Sequence, residues 1–131
     1  MNEFSIRKES GGKGKWNGGD GLIRSFTFLK ELQVSLLCER RVFEPFGLEG
    51  GENGKKGFNY LIKENGAIFN IGGKNTLTVE KNDKILILTP GGGGWGKWEG
   101  DHNDSKPLFE NGSKRVCAGS LFQYSNDQYT N

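Results

Sequence analysis

Residues 22–28, Leu22-Ile23-Arg24-Ser25-Phe26-Thr27-Phe28, alternate apolar and polar positions imperfectly, the pattern of a half-buried strand. Residues 33–38, Gln33-Val34-Ser35-Leu36-Leu37-Cys38, predict a second strand. Leu29, Leu32, Leu36 and Leu37 have rough helical spacing, so a helix across 29–41 is the competing reading. The stretch lacks a clear cap and lies between glycine-rich loops, which favours the strand. Residues 58–63 and 67–71 flank Glu64-Asn65-Gly66. Asn-Gly tolerates positive φ at both positions and predicts a hairpin there. Residues 76–80 and 84–89, around Lys81-Asn82-Asp83, predict a second hairpin. Ile85-Leu86-Ile87-Leu88 is continuously apolar, as expected of a strand buried on both faces. Residues 8–21 and 44–57 show no periodicity, carry many glycines and are expected to be loops. Pro90 ends the last strand, and the run Gly91-Gly92-Gly93-Gly94 is expected to turn tightly, with Trp95 folded over the sheet end. Gly18, Gly19 and Asp20 are expected to form a similar turn, with Asp20 bonding its own turn backbone.

Composition sharpens the picture. In 131 residues there are 22 Gly and nine Phe against a single Met, which argues against a helical bundle and for a loop-rich, mainly β chain of hairpins and long glycine-rich loops. A length of 131 residues suits one small domain. The organisation expected is a β-rich segment over 1–98 and a tail over 99–131, with a flexible polar linker at 99–107. A net charge of +2 is too small for an electrostatic nucleic-acid binder, and no aromatic ribonucleoprotein string is present. No apolar run approaches 18 residues and the N-terminus has no apolar signal core, so neither a membrane partner nor secretion is expected. Two cysteines, Cys38 and Cys117, lie far apart and suit a reducing compartment, the cytoplasm.

Candidate chemistry is sparse. Gly91, Gly96 and Lys97 satisfy the first part of a phosphate-loop pattern, but Trp98 stands where magnesium needs a hydroxyl, and poor helix formers follow. His102 has no partner in sight, neither cysteine has a paired histidine, and no metal-ligand spacing occurs. Glu39-Arg40-Arg41 is the densest charge cluster beside a predicted strand. Arginine can clamp a carboxylate or phosphoryl group bidentately, and the competing reading is a solvated strand end. These three residues are the candidate substrate-binding group. No catalytic residue is assigned, and the chain by itself does not have the make-up of a complete enzyme.

Four strings in register carry a family resemblance. Residues 10–21 (Ser-Gly-Gly-Lys-Gly-Lys-Trp-Asn-Gly-Gly-Asp-Gly), residues 35–51, Ile71-Gly72-Gly73-Lys74-Asn75, and Thr89-Pro90-Gly91-Gly92-Gly93-Gly94-Trp95-Gly96 resemble successive blocks of the hydantoinase B/5-oxoprolinase family. Order and spacing agree over about residues 4–96. Gly119-Ser120-Leu121-Phe122-Gln123-Tyr124 is similar to the C-terminus of the eukaryotic single-chain members. The chain departs from the family at Lys97-Trp98, where Asp-Pro is frequent. The resemblance implies a fragment of a larger hydantoinase B-type domain, inactive alone. The enzyme implied opens 5-oxo-L-proline to L-glutamate at the expense of ATP, in the glutathione cycle. An actin-like A part would bring ATP and magnesium and phosphorylate the lactam, and the B part would hydrolyse the activated intermediate. The partners implied are the upstream A and B parts, with a dimer in the full-length form. B-part metal ligands would lie upstream of this stretch, and no cofactor is expected on this segment. Arg40 and Arg41 would then meet the anionic intermediate, with Glu39 orienting them. A small partner-binding β module, a non-functional remnant and hydantoin-like ring substrates stay open as alternatives.

Overall fold

The computed structural model describes residues 1–98. The polar linker, the tail string, His102 and Cys117 lie outside the described residues.

Seven strands form among the described residues, in chain order: β1 (Glu3–Arg7), β2 (Gly21–Thr27), β3 (Leu32–Leu37), β4 (Phe58–Ile62), β5 (Ile68–Asn70), β6 (Lys74–Val79) and β7 (Lys84–Leu88). Five make one antiparallel sheet in the order β1-β2-β7-β4-β5, and β3 and β6 pair as a separate ribbon. No helix occurs among the described residues, so the segment at 29–41 takes the strand reading. The mainly β class expected from composition is what the chain adopts. The strand β7 is central, with β2 on one side and β4 on the other. Its burial is less complete than its apolar run suggests: Ile85 is 2% exposed, whereas Leu86, Ile87 and Leu88 are half-buried.

The hairpin at Asn65-Gly66 forms as expected, with β4 on β5 and Gly66 at φ 87°. The second expected hairpin does not form. Strand β6 pairs with β3, and β7 with β2 and β4. The chain runs β2 then β3, and returns as β6 then β7 along the same two partners. The ladder is interrupted between the register pairs Thr27↔Lys84 and Leu32↔Val79. There Asn82 N–H donates to Phe28 O at 2.8 Å, and Phe28 N–H to Asp83 O at 2.9 Å. A three-residue connection predicts a hairpin only if the chain reverses within it. Here Asn82, at φ 69°, bends the chain while the partner is kept. The strand β1 was not expected from the sequence. It is a short edge strand whose apolar residues Phe4 and Ile6 are 57% and 62% exposed.

The loops at 8–21, 44–57 and 91–97 are one structure. Gly12 N–H donates to Gly92 O and Gly92 N–H to Gly19 O, at 2.9 and 2.8 Å. Glu52 N–H donates to Lys13 O at 2.7 Å, and Gly94 N–H to Glu52 O at 2.9 Å. Trp16 and Trp95 exchange both backbone bonds, at 2.9 and 2.8 Å, and Leu48 bridges Trp95 on its other side. The three segments thus form a backbone lattice. The expected turns at Gly18-Gly19-Asp20 and Gly91–Gly94 are absent: these residues run through the lattice without a turn, and none of the glycines in them has positive φ. What the lattice needs from glycine is close approach. A Cβ on Gly12 would land on Glu52 O, and one on Gly91 on Ser10 O, both fixed backbone atoms. Most of the buried residues among those described are accordingly glycines (Gly12, Gly14, Gly21, Gly54, Gly57, Gly91, Gly94 and Gly96), while among the described residues only Val79 and Ile85 are buried apolar side chains.

Asp20 caps the lattice from a distance. Its Oδ1 accepts Ser10 N–H and Gly11 N–H, both at 2.9 Å, instead of its own turn backbone. The Gly11 N–H first, then the Ser10 groups, hold its carboxyl below the usual carboxylate range against the opposing effect of burial.

Candidate functional site

The strip that follows β3 is bent out of the ribbon. Cys38 N–H donates to Gly73 O at 2.7 Å, and the chain then turns at Arg40, whose φ of 57° is left-handed. A non-glycine residue in this region carries a steric cost of about 1–2 kcal/mol and persists only when its surroundings fix it. Residues Cys38 to Phe43, with Gly73 and Lys74 from the start of β6, enclose an open groove of about 600 Å³. Glu39, Arg40 and Arg41, the three residues singled out by charge pattern, all line it.

The structure gives these three residues different roles. Glu39 does not orient the arginines with its carboxylate. That group pairs with Lys74 Nζ at 3.0 Å, both ends being well exposed, so the pair is worth little. Arg41 is half-buried and anchored at each of its three guanidinium nitrogens. Its Nη1 donates to Glu39 O at 2.7 Å, and its Nε and Nη2 both donate to Asn59 Oδ1 at 3.2 Å. Arg40 is exposed, has no ion pair among the described residues, and lies with its guanidinium carbon 5.4 Å from the Phe46 ring centroid. Such stacking on an exposed ring contributes about 0.5–1 kcal/mol and leaves the guanidinium donors free. Arg40 is therefore the guanidinium in the groove with no hydrogen-bonded or ion-paired partner among the described residues. The apolar side of the groove is Val42 and Phe43, 73% and 76% exposed.

The charge cluster alone could not show Asn59. It is fully buried on β4, and its Nδ2 donates to Gly72 O at 2.8 Å. The available signal was an amide inside the apolar run Phe58–Ile62, where a buried polar group must find partners. Lys74 and Phe46 carried no such signal.

A second polar cluster sits at the sheet corner. Asp83 is fully buried and accepts from Lys63 Nζ at 2.7 Å, Glu80 N–H at 2.9 Å and Glu64 N–H at 3.3 Å. Burial alone would raise its carboxyl; these bonds outweigh it and hold it below its usual range. Lys63, which also meets Glu80 at 2.7 Å, is raised by the Asp83 bond first and then the Glu80 bond. Both Asp83 oxygens are taken by groups of this chain, so the cluster reads as structural.

No group of three or more His, Cys, Asp or Glu suited to a metal occurs among the described residues. Nor do the residues fit ATP and magnesium. Gly91–Gly94 are committed to the lattice, and neither a hydroxyl at position 98 nor a helix follows them among the described residues. No helix of the described residues is long and apolar enough to cross a membrane.

A family profile described as hydantoinase B/oxoprolinase matches residues 1–98. The chain belongs to the hydantoinase B/oxoprolinase family. Among curated relatives, the 5-oxoprolinase of Dictyostelium discoideum is 53% identical over 97 residues, covering 74% of this chain and 8% of that protein. The 5-oxoprolinase of Saccharomyces cerevisiae is 47% identical over 100 residues, 76% of this chain and 8% of that protein. The 5-oxoprolinase 1 of Arabidopsis thaliana is 51% identical over 96 residues, 73% of this chain and 8% of that protein. This hydantoinase B/oxoprolinase chain thus spans about 8% of the length of the relatives it matches. No solved structure matches it. The groove at Cys38–Phe43 and the glycine lattice both lie within the matched residues.

Proposed function

We propose that the chain is the C-terminal segment of the B part of an ATP-dependent 5-oxoprolinase, which opens 5-oxo-L-proline to L-glutamate, and that its groove contributes Arg40 as a binding group for an anion on the substrate or on its activated intermediate. The observation that carries this reading is the groove itself. It presents one arginine free of carboxylate partners, over an aromatic ring, beside an apolar wall. A planar guanidinium with free donors suits a carboxylate or phosphoryl group. The chain's own residues bind and orient; ATP and magnesium belong to the A part. Work in the cytoplasm, as part of the glutathione cycle, and a dimeric full-length form are parts of the same proposal.

The exposed apolar residues Leu37, Val42 and Phe43, 83%, 73% and 76% exposed, also suit a free partner-binding module. The test is a chimera: the matched residues of the Saccharomyces cerevisiae 5-oxoprolinase are replaced by those of this chain, and ATP-dependent glutamate release is measured. The chimera is expected to be active. Arg40→Gly, which keeps the left-handed backbone and removes the guanidinium, is expected to raise KM for 5-oxoproline about 10- to 100-fold, the worth of hydrogen bonds to a charged group. An inactive chimera, or an Arg40→Gly chimera with unchanged kinetics, leaves the module reading in its place.

A further inference from the structure

We infer that Arg41 is the positioning residue of the groove, acting on the bound anion through Arg40; this rests on the reading of Arg40 just given. The backbone on both sides of the Arg40 Cα is tied down. The Glu39 carbonyl accepts Arg41 Nη1 at 2.7 Å, and the Arg40 carbonyl accepts Gly57 N–H at 2.9 Å. Arg41 is in turn fixed by Asn59 Oδ1, which takes both Nε and Nη2, while Asn59 Nδ2 grips Gly72 O beside the groove wall. The side chain runs over two glycines, its guanidinium over Gly57 and its stem over Gly73. A Cβ on Gly57 would meet Arg41 Nη1 at 2.6 Å, and one on Gly73 would meet Arg41 Cγ at 3.3 Å and Cys38 O at 2.7 Å. The left-handed φ of 57° at Arg40 sends its side chain out over Phe46. Without the clamp, the Glu39 side keeps only its exposed pair with Lys74 and the Cys38 N–H bond to Gly73 O one residue further back, and Arg40 relaxes to an ordinary backbone that points its guanidinium elsewhere. One arginine is thus consumed to aim the other. A fork donating to one amide oxygen and one carbonyl is a geometry that an ammonium does not reproduce.

The test uses the chimera and reads KM, kcat and Tm together. Arg41→Lys is expected to raise KM for 5-oxoproline about tenfold, the worth of a lost charge-assisted hydrogen bond, with kcat within about twofold and Tm lowered by only a few degrees, since the buried Asn59 oxygen loses part of its fork. Arg41→Lys combined with Asn59→Ser is expected to be no worse in KM than Arg41→Lys alone, because both break the same clamp. An unchanged KM in Arg41→Lys overturns the inference, as does a fall in kcat and Tm together without a KM effect, which marks a purely structural role. If Arg40→Gly leaves KM unchanged while Arg41→Lys raises it, Arg41 meets the ligand directly and the positioning role is lost. A wild-type chimera without activity removes the substrate reading itself, and this inference with it.

Discussion

In the five-stranded sheet, side chains and backbone share the work. Ile85 on β7 is 2% exposed, Asp83 at the sheet corner is fully buried in a closed set of bonds, and the strands follow a regular antiparallel register. In the lattice of residues 10–19, 45–55 and 91–96, side chains take almost no part. Ser10 is its one fully buried side chain, and its hydroxyl serves the backbone, accepting Gly21 N–H at 2.7 Å and donating to Arg7 O at 2.6 Å. Backbone therefore packs on backbone, at a separation only glycine permits. The difference matters because the two regions fail in opposite ways. A sheet weakens when atoms are removed from it, and a backbone lattice weakens when atoms are added.

The largest expected effect is an addition to the lattice. In Gly91→Ala the new methyl falls on Ser10 O, a fixed backbone atom held by Lys55 N–H at 2.8 Å. Overpacking against a side chain costs about 1–3 kcal/mol, and a clash with immovable backbone costs more, so a loss above about 4 kcal/mol is expected. Gly19→Ala is the control, because a Cβ there meets nothing within 4 Å and φ is not positive. It is expected to shift stability by less than about 1 kcal/mol, in the stabilising direction, through the unfolded chain. Urea midpoints of the two variants check this, and equal midpoints would sink the idea of a close-packed lattice.

The sheet answers to deletion. Ile85→Ala leaves a cavity at its best-buried apolar position and is expected to cost about 3 kcal/mol. The same measurement checks it: a cost below about 1 kcal/mol would show that the sheet, too, is held mainly by its backbone.

How far the sequence reveals each region follows from the same contrast. Strands β2 to β7 announce themselves through side-chain alternation, apolar runs and turn residues, because those signals sit in the side chains. The lattice bonds are made by atoms every residue possesses, so glycine content points only to loops. Its partners, such as Gly12 with Gly92, are eighty residues apart with nothing in their side chains to match them. The β6–β7 connection misled because turn chemistry fixes a local bend and not the partner a strand keeps. At the groove, charge density located Glu39, Arg40 and Arg41 but could not divide their labour. The division depends on Asn59, eighteen residues beyond Arg41, and on the absence of a Cβ at Gly57 and Gly73.

The smallest effects come from protons, and each region has its own carboxylate to titrate. Asp83 in the sheet corner and Asp20 in the lattice are both held below their ordinary value of 3.8. A carboxyl whose pKa is lower folded than unfolded adds stability that is fully present above the unfolded value. That stability is lost as pH falls through the folded one. Both contributions are therefore intact at pH 7 and fade below about pH 4. Lys63 is shifted the other way, up from 10.5, by its bonds to Asp83 and Glu80, so its contribution holds while those carboxyls are ionised and is lost at the other end in strong alkali. Asp83→Asn is expected to cost about 2 kcal/mol at pH 7, because it strips a buried partner from Lys63 and leaves an amide where three donors converge. Asp20→Asn keeps an oxygen for Ser10 and Gly11 N–H and loses only its charge, so about 1 kcal/mol is expected. Its cost should shrink steadily as pH falls below about 4, as the wild-type charge loses its advantage. Urea midpoints of wild type and both variants from pH 7 to pH 2 test this. An Asp20→Asn deficit that persists undiminished at pH 2 would mean that the Asp20 bonds work through shape and not charge, and the lattice would then have no electrostatic component at all.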